Sequence, residues 1–268
     1  MSLTLGNGPF ARNDAAGETN AHIEAPGHIL WFHDVPKRVR ATLGGETIVD
    51  TERARLLHET RLLPVYYVPR DDVRFDLLEP TEHSSHCPFK GDARYWTIRA
   101  GDQVAENAVW GYDAPIAGAP DLAPYVALYF GKVDHWYEED EEIFGHPRDP
   151  FHRIDVRTAE RRVRVLVDGA VVADSSVPKL LFETGLPVRY YLPLEHWDQA
   201  ALTPSGHSST CAYKGAAAYN GVRTAAGEVA DLVWRYEAPL SDGRDVAGLL
   251  CAPQEHERVE VELSTPGR

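Results

Sequence analysis

The chain has 268 residues and a formal net charge of −14 at pH 7, from 27 Lys and Arg against 41 Asp and Glu. This balance argues against a nucleic-acid partner, which needs a concentrated basic surface, and against adsorption to an anionic membrane. No apolar run approaches the roughly 20 residues that span a bilayer, and the first 27 residues lack the apolar core of a signal peptide.

Hydrophobic residues make up 43% of the chain, which is enough to form a packed core. Three cysteines, two of them in repeated positions, do not resemble a disulfide framework. We therefore expect a cytoplasmic protein. The abundance of Ala, Arg, Asp and Val, with a single Met, favours a bacterial origin.

The sequence repeats itself after 124 residues. Pairing 28–115 with 152–239 without a gap gives about 30 identities in 88 positions, which indicates an internal duplication. Further on, 126–130 matches 247–251 only after a shift of three residues. The predicted organisation is an N-terminal extension (1–27), a first copy (28–142), a linker (143–151) and a second copy (152–268).

Both copies read as a series of short strands. Alternating residues on either side of Gly44-Gly45 and Asp168-Gly169 predict a hairpin in each copy, and 53–58 and 178–183 are predicted as one or two helical turns. Further strands are predicted at 64–68, 94–99, 104–112, 126–130 and 133–137, the last two joined as a hairpin. The predicted fold is mainly β: two tandem copies of a compact antiparallel domain with few short helices, its sheet folded on itself in a tent-like or barrel-like way.

The most distinctive motif is HSSHCPFKG at 83–91, which recurs as HSSTCAYKG at 207–215. Nearby cations and histidines lower the pKa of a thiol, so Cys87 and Cys211 are candidate nucleophiles or redox thiols. His83 and His207 are candidate bases that would approach the sulfur in a turn. The alternatives are a cysteine packed as a small hydrophobe and a histidine that fixes the loop.

Two further charged pairs are candidates. Lys90 and Lys214 precede a glycine, where the backbone can turn an amine into a pocket to bind an anion, although each could also be an ordinary solvated lysine. Glu59 and Glu183 follow apolar residues, which favours a carboxyl group of raised pKa acting as a general base, or else an acceptor for backbone amides or a kept arginine. The arginines Arg99 and Arg223 would hold an anionic group.

Aromatic residues kept in both copies could stack a planar ligand or belong to the core. They are Tyr66, Tyr67, Trp110, Tyr112, Tyr190, Tyr191, Trp234 and Tyr236. No cofactor is predicted. Zinc stays an alternative because His83, His86 and Cys87 are three possible ligands, but the second copy has Thr210 in place of His86 and the chain has no Cys-x-x-Cys pair.

Several of these residues belong to motifs that resemble those of a known protein family. Glu59-Thr60, YYVPRDDV at 66–73, CPFKGDARY at 87–95 and WGYDAP at 110–115 closely resemble the domain of unknown function 427 family. The second copy resembles the family through Glu183-Thr184, YYLP at 190–193, CAYKG at 211–215 and WRYEAP at 234–239. The resemblance implies a compact, mainly β domain and little about activity. The family is sometimes labelled as nucleotidyltransferases, but this chain has no Gly-Ser and paired-aspartate metal signature that would support such an activity.

Two functions stay open. The first is an enzyme acting on a small anionic molecule with the cysteine, histidine, glutamate and lysine groups of twin polar pockets. The second is a non-catalytic module that binds a small molecule or nucleotide, with its two copies packed as an intramolecular pseudo-dimer. A purely structural duplication is a third reading, and the number of polar side chains kept in both copies argues against it.

Overall fold

A computed structural model describes residues 27–265. The chain divides into two compact units at the junction between Asp149 and Pro150, inside the stretch predicted as the linker. The predicted N-terminal extension lies outside the described residues except for Gly27. The last strand of unit 1 ends at Ile143, one residue beyond the predicted end of the first copy.

Unit 1 consists of two antiparallel sheets. Its strands are β1 (Leu30–Asp34), β2 (Val39–Leu43), β3 (Glu46–Thr51), β4 (Arg55–Glu59), β5 (Val65–Pro69), β6 (Leu78–Cys87), β7 (Gly91–Ala100), β8 (Gln103–Gly111), β9 (Tyr125–Leu128), β10 (His135–Glu138) and β11 (Glu141–Ile143). The larger sheet has the order β1-β4-β5-β9-β8-β7-β6, and the smaller has the order β11-β10-β2-β3.

Unit 2 repeats this plan with one strand fewer in its smaller sheet. Its strands are β12 (Ile154–Thr158), β13 (Arg162–Val167), β14 (Ala170–Ser175), β15 (Lys179–Glu183), β16 (Arg189–Leu192), β17 (Leu202–Cys211), β18 (Gly215–Thr224), β19 (Gly227–Arg235), β20 (Leu250–Cys251) and β21 (Val259–Ser264). The sheet orders are β12-β15-β16-β20-β19-β18-β17 and β14-β13-β21.

The predicted fold class is confirmed, because both units are built from antiparallel strands with few short helices. Each seven-stranded sheet is open, with β6 or β17 at one edge and β1 or β12 at the other. The helices are single 3-10 segments at Arg70–Asp72, Phe75–Leu77, Phe130–Lys132, Leu194–His196 and Ser241–Val246. Within residues 27–265, none of them has the length and hydrophobicity that a membrane crossing requires.

The large sheet of unit 1 buries both of its faces. Successive side chains of a strand point to opposite faces, so neighbouring residues enter different clusters. Leu56 and Tyr66 join the core that also contains residues of the small sheet, such as Trp136. Leu57 and Tyr67 join a second, aromatic-rich cluster on the opposite face, and this second face carries the candidate site described below.

Two local predictions are wrong. Residues 53–58 do not form helical turns: β4 covers most of this stretch and is buried on both faces, so it lacks the alternation that marks a half-exposed strand. The predicted hairpin of 126–130 with 133–137 is also absent, because β9 pairs with β5 and β8 whereas β10 pairs with β2 and β11. The short helix Phe130–Lys132 carries the chain from one sheet to the other.

The predicted three-residue shift between the copies is likewise wrong. Tyr67 pairs with Ala127 in unit 1, and Tyr191 pairs with Cys251 in unit 2. Both pairs keep the offset of 124 residues, so Cys251 occupies the strand position of Ala127. The strand pairing therefore shows which residues of the two copies are equivalent in this strand, where the two sequences have diverged too far to show it.

The turn between β2 and β3 offers a test of local packing. Gly44 and Gly45 both have positive φ, but a Cβ on Gly44 would lie 2.3 Å from the Ala100 carbonyl oxygen, whereas one on Gly45 meets nothing within 4 Å. We expect Gly45→Ala to lower the free energy of unfolding of unit 1 by about 1 kcal/mol through backbone strain alone. Gly44→Ala should lower it by about 2 kcal/mol because the displaced carbonyl adds to that strain. Hydrogen exchange of β2 and β3 amides over a urea series measures both; equal losses would contradict the clash.

Candidate functional site

The HSSHCPFKG motif forms an edge strand followed by a tight turn. β6 ends at Cys87, which pairs with Gly91 at the start of β7, and the Lys90 amide donates a 3.3 Å hydrogen bond to the Cys87 carbonyl. Gly91 has a φ of 104°, and a Cβ there would meet Ile116 at 3.2 Å. The predicted turning role of this glycine therefore has a structural basis, and the turn brings the Lys90 side chain to Glu59 on β4.

Lys90 and Glu59 form a buried ion pair. The Lys90 Nζ donates to Glu59 Oε2, and both side chains are only 9% exposed. The other carboxylate oxygen, Oε1, lies 3.1 Å from Nε2 of His28. Glu59 thus links a half-buried imidazole to a buried amine in one continuous hydrogen-bonded chain. The predicted partnership of Glu59 with Arg99 is not formed.

Unit 2 repeats this series of hydrogen bonds. Lys214 Nζ lies 2.5 Å from Glu183 Oε2, and His152 Nε2 lies 2.9 Å from Glu183 Oε1. Burial acts to raise the pKa of Glu183, but the hydrogen bond of His152 and the charge of Lys214 outweigh it and hold the pKa below its usual value. The prediction of a raised pKa for this carboxyl group is therefore wrong in direction, since the partners stabilise its ionised form.

The two histidines of these chains were missed by the sequence analysis. His28 stacks on Phe89 with ring centroids 3.5 Å apart, and His152 stacks on Tyr213 at 4.1 Å. Each imidazole is thereby held between an aromatic ring of the motif turn and the glutamate. The signal that could have found them is their identity at the 124-residue offset, at the first position of the repeated window.

Next to Lys90 and Glu59 lies a cavity of about 200 Å³. Its lining residues are Leu57, Glu59, Leu62, Leu63, Val65, Tyr67, Lys90, Tyr95, Trp110, Tyr112 and Tyr129. The predicted candidates Tyr67, Trp110 and Tyr112 are thus brought together with the ion pair, whereas Tyr95 and Tyr129 were not among the predicted site residues. His28 lines a separate groove of about 470 Å³ with Phe89 and Ile116.

The phenols of Tyr67 and Tyr112 in the cavity wall stay protonated at neutral pH. Burial raises the pKa of Tyr67 and of Tyr112 above the ordinary value, and the same cause raises the pKa of Tyr191 and of Tyr236 in unit 2. A protonated phenol can donate a hydrogen bond as well as accept one. The wall therefore combines apolar ring faces with hydroxyl groups beside a charged amine.

The motif's histidine and thiol are not brought together. His83 and Cys87 lie on the same face of β6, but four residues of extended strand separate them by roughly 13 Å. The prediction that this imidazole approaches the sulfur in a turn is wrong, because the segment is a strand. His83 lies against the Tyr95 ring at 4.4 Å, and the counterpart His207 lies against Tyr219 at 4.6 Å.

The predicted cysteines pack beside the aromatic clusters. Cys87 is half-buried against the cluster that contains Tyr67 and Tyr112, and Cys211 occupies the matching place in unit 2. The third cysteine, Cys251, is fully buried, and its burial raises the pKa of the thiol to about 12.

Four predicted ligand-binding residues lie away from the buried ion pairs and the aromatic clusters beside them. Arg99 is exposed at the far end of β7 and pairs with Glu79 at 2.6 Å, while Arg223 pairs with Glu228 at 2.7 Å. Tyr66 donates to Glu138 in the core between the sheets, and Tyr190 packs on the corresponding core of unit 2. Trp234, Tyr236 and Tyr191 instead line up on the second face, like their counterparts in unit 1.

The possible zinc ligands of the motif are split by the strand. His86 points to the opposite face from His83 and Cys87, and its Nδ1 lies 2.6 Å from Asp92. Among residues 27–265, no group of three or more His, Cys, Asp and Glu side chains is arranged to hold a metal ion.

Comparison with known families gives two matches to one family, described as a domain of unknown function (DUF427), at residues 31–139 and 155–265. The chain belongs to the DUF427 family. The resemblance inferred from the motifs is confirmed in both copies, which makes the protein a tandem DUF427 duplication. A search of curated proteins finds no match.

Each DUF427 unit therefore has the same hydrogen-bonded series of a lysine, a glutamate and a histidine beside a cluster of aromatic residues. The lysine and glutamate lie inside the matched ranges. His28 and His152 each lie three residues before the start of a match. The chain of hydrogen bonds thus extends from the family domain into the segment that precedes it.

Proposed function

We propose that each DUF427 unit is an enzyme that transfers a proton to or from a small planar molecule held in the tyrosine-lined cavity. The observation that carries this proposal is the continuous chain from His28 through Glu59 to Lys90, repeated at the same spacing in unit 2. One end of the chain lines the cavity and the other lines a separate groove. Such a chain suits the exchange of protons between a bound molecule and solvent.

The proton balance is simple. The Lys90 ammonium donates one proton to a basic atom of the ligand and becomes a neutral amine. A proton from His28, passed through the Glu59 carboxylate, restores the ammonium, and water in the groove beside His28 returns a proton to the imidazole. The reverse sequence removes a proton from the ligand. A positioned acid or base of this kind contributes about 10²–10⁴ to a rate.

The size and walls of the cavity define the ligand class. An engineered cavity of about 150 Å³ in another protein holds benzene, so a cavity of about 200 Å³ suits a molecule of one or two fused rings. The ring faces of Tyr67, Trp110 and Tyr112 favour a planar partner. Because Glu59 neutralises Lys90, the site of unit 1 suits an uncharged molecule better than the anion expected from the sequence.

A binding module is the second candidate. Its support is that the ion pair in each unit is satisfied within the protein, as expected of a fixed polar wall that only shapes a pocket. Such a module would hold the same planar molecule without exchanging protons with it. Binding and proton exchange are therefore measured separately.

The test uses 2-indanone, a planar ketone with acidic C–H groups next to its carbonyl. In D₂O, we expect the protein to accelerate loss of the C–H signals in the ¹H NMR spectrum by about 100-fold over buffer. The variant Lys90→Met/Glu59→Leu/Lys214→Met/Glu183→Leu, which leaves no unpaired charge buried in either unit, should reduce the rate to that of buffer, since each unit then lacks the amine. Saturation-transfer difference spectra report binding in the same samples.

The matched control is Cys87→Ser/Cys211→Ser, which removes both motif thiols next to the intact lysines. We expect this variant to keep the exchange rate within twofold. Loss of exchange in the cysteine variant, with exchange retained in the lysine variant, would assign the chemistry to the thiols instead. Binding without acceleration in the unmodified protein would favour the binding module.

A further inference from the structure

The wall of the unit 2 site differs from that of unit 1 by a cation. In unit 1, Val65 pairs with Leu57 and lines the cavity. In unit 2, Arg189 pairs with Leu181 in the same register, so the arginine backbone takes the place of the valine. The exchange replaces an apolar side chain on the site face with a guanidinium group.

The guanidinium lies beside the site's tryptophan. Arg189 Cζ is 5.6 Å from the ring centroid of Trp234, whereas in unit 1 the equivalent ring of Trp110 contacts Tyr129 at 4.5 Å. Pro253 follows β20 at the position of Tyr129, so unit 2 lacks that phenol. The tryptophan of unit 2 therefore has a guanidinium group beside it where that of unit 1 has a tyrosine, and contact with the ring restricts the orientation of the guanidinium.

The present partner of Arg189 is easily displaced. Its Nη1 lies 2.6 Å from Oε2 of Glu255, and the side chains are 18% and 48% exposed respectively. Glu255 belongs to the loop between β20 and β21, where its carboxylate can turn into water at little cost. Because one partner is half-exposed to water, this ion pair is weak enough for a ligand carboxylate to replace it.

We infer that the site of unit 2 takes a planar carboxylate, whose carboxyl group binds Arg189 while its ring lies against the aromatic wall. Guanidinium presents parallel N–H donors that match the two oxygens of a carboxylate. Lys214 is already neutralised by Glu183, so Arg189 supplies the charge that the anion needs. This inference rests on the proposed function for the ligand site and adds that the two units select ligands of different charge.

Benzoate and its uncharged analogue benzamide test the inference. One site at a time is closed in the full chain by Leu62→Trp or Leu186→Trp, at equivalent positions that are 54% and 52% exposed. With unit 1 closed, we expect benzoate to bind at least tenfold more tightly than benzamide in calorimetric titrations. With unit 2 closed, benzamide should bind at least as tightly as benzoate.

Exchange of the two wall residues gives the matched controls. In the chain with unit 1 closed, Arg189→Val should reduce the benzoate preference to twofold or less, and Glu255→Gln should increase it. In the chain with unit 2 closed, Val65→Arg should create a benzoate preference. Far-ultraviolet circular dichroism and melting temperature confirm that each variant is folded.

The outcomes separate the two proposals. Binding of both probes with the same preference before and after Arg189→Val would overturn the charge selection but leave the ligand site intact. Failure of both probes to bind either site in folded protein would overturn the charge selection together with the proposed ligand site. A benzoate preference in unit 1 that equals that of unit 2 would also overturn the inference.

Discussion

Replacing Lys90 with methionine should destabilise unit 1 by about 3–5 kcal/mol, the largest single effect that we expect in this protein. The substitution leaves Glu59 as a buried carboxylate, with His28 as its remaining hydrogen-bond partner. Removing one member of a buried ion pair costs far more than the pair contributes, because the other charge stays desolvated and uncompensated.

Removing both charges should restore most of the loss. We expect Lys90→Met/Glu59→Leu to be within about 1–2 kcal/mol of the unmodified protein, since two apolar side chains replace a pair whose attraction was offset by desolvation. The two single variants and the double variant form a thermodynamic cycle, and the coupling energy between Lys90 and Glu59 should exceed 2 kcal/mol. Additive losses would contradict the buried pairing.

The measurement is native-state hydrogen exchange of the β4 and β7 amides, because the strands of unit 2 in the same molecule give an internal reference. Arg99→Met is the matched control. Arg99 lies on β7, the strand that begins with the turn glycine Gly91, and the substitution removes a cation from its exposed ion pair with Glu79. Exposed pairs contribute about 0–1 kcal/mol, so this variant should change the free energy of opening by no more than that.

Much of the fold could be predicted from local sequence. The alternating residues around the Gly44-Gly45 and Asp168-Gly169 turns identify their hairpins, because one face of each strand is buried and turn residues are distinctive. The residues of β4 could not be assigned this way. Leu56 and Leu57 are both buried because each face of the large sheet is covered, so the period of two disappears.

The candidate site could be predicted only in part. The sequence identifies Glu59 and Lys90 as separate candidates. It does not predict their pairing, because the two residues are 31 positions apart and meet through a turn whose direction depends on Gly91. Arg99 and Arg223 show the opposite error: both copies keep the arginine, yet each makes a local surface ion pair. Identity between copies identifies positions under constraint, and only the strand register shows which of them meet.

A second large effect is expected from pH, at a histidine found only in unit 1. His58 is 1% exposed, its Nε2 lies 3.0 Å from Nε2 of His33, and its ring stacks near Trp31. Burial lowers the pKa of His58 to about 4, against an opposing effect of Asp149, whose carboxylate lies 3.8 Å from Nδ1, and with a smaller contribution from His33. Unit 2 has Phe182 at this position.

The sign follows from the direction of this shift. Between about pH 6.5 and pH 4 the unfolded chain binds a proton at His58 that the folded chain does not bind, so stability falls as pH decreases through this window. Lowering the pKa of His58 from 6.5 to about 4 corresponds to about 3 kcal/mol, which is the loss that we expect for unit 1 between pH 7 and pH 4 from this residue. Above pH 6.5 the contribution is fully present.

His58→Phe should remove this part of the pH dependence while leaving an aromatic ring in contact with Trp31. We expect the difference in unfolding free energy between pH 7 and pH 4 to shrink by about 3 kcal/mol in β4 amides, measured by hydrogen exchange. His86→Ala is the control, because that imidazole is exposed and its removal leaves the contact between His58 and His33 intact. An unchanged pH dependence in His58→Phe would mean that the folded unit takes up the proton at His58 without opening. The burial of that ring would then not govern its acid stability.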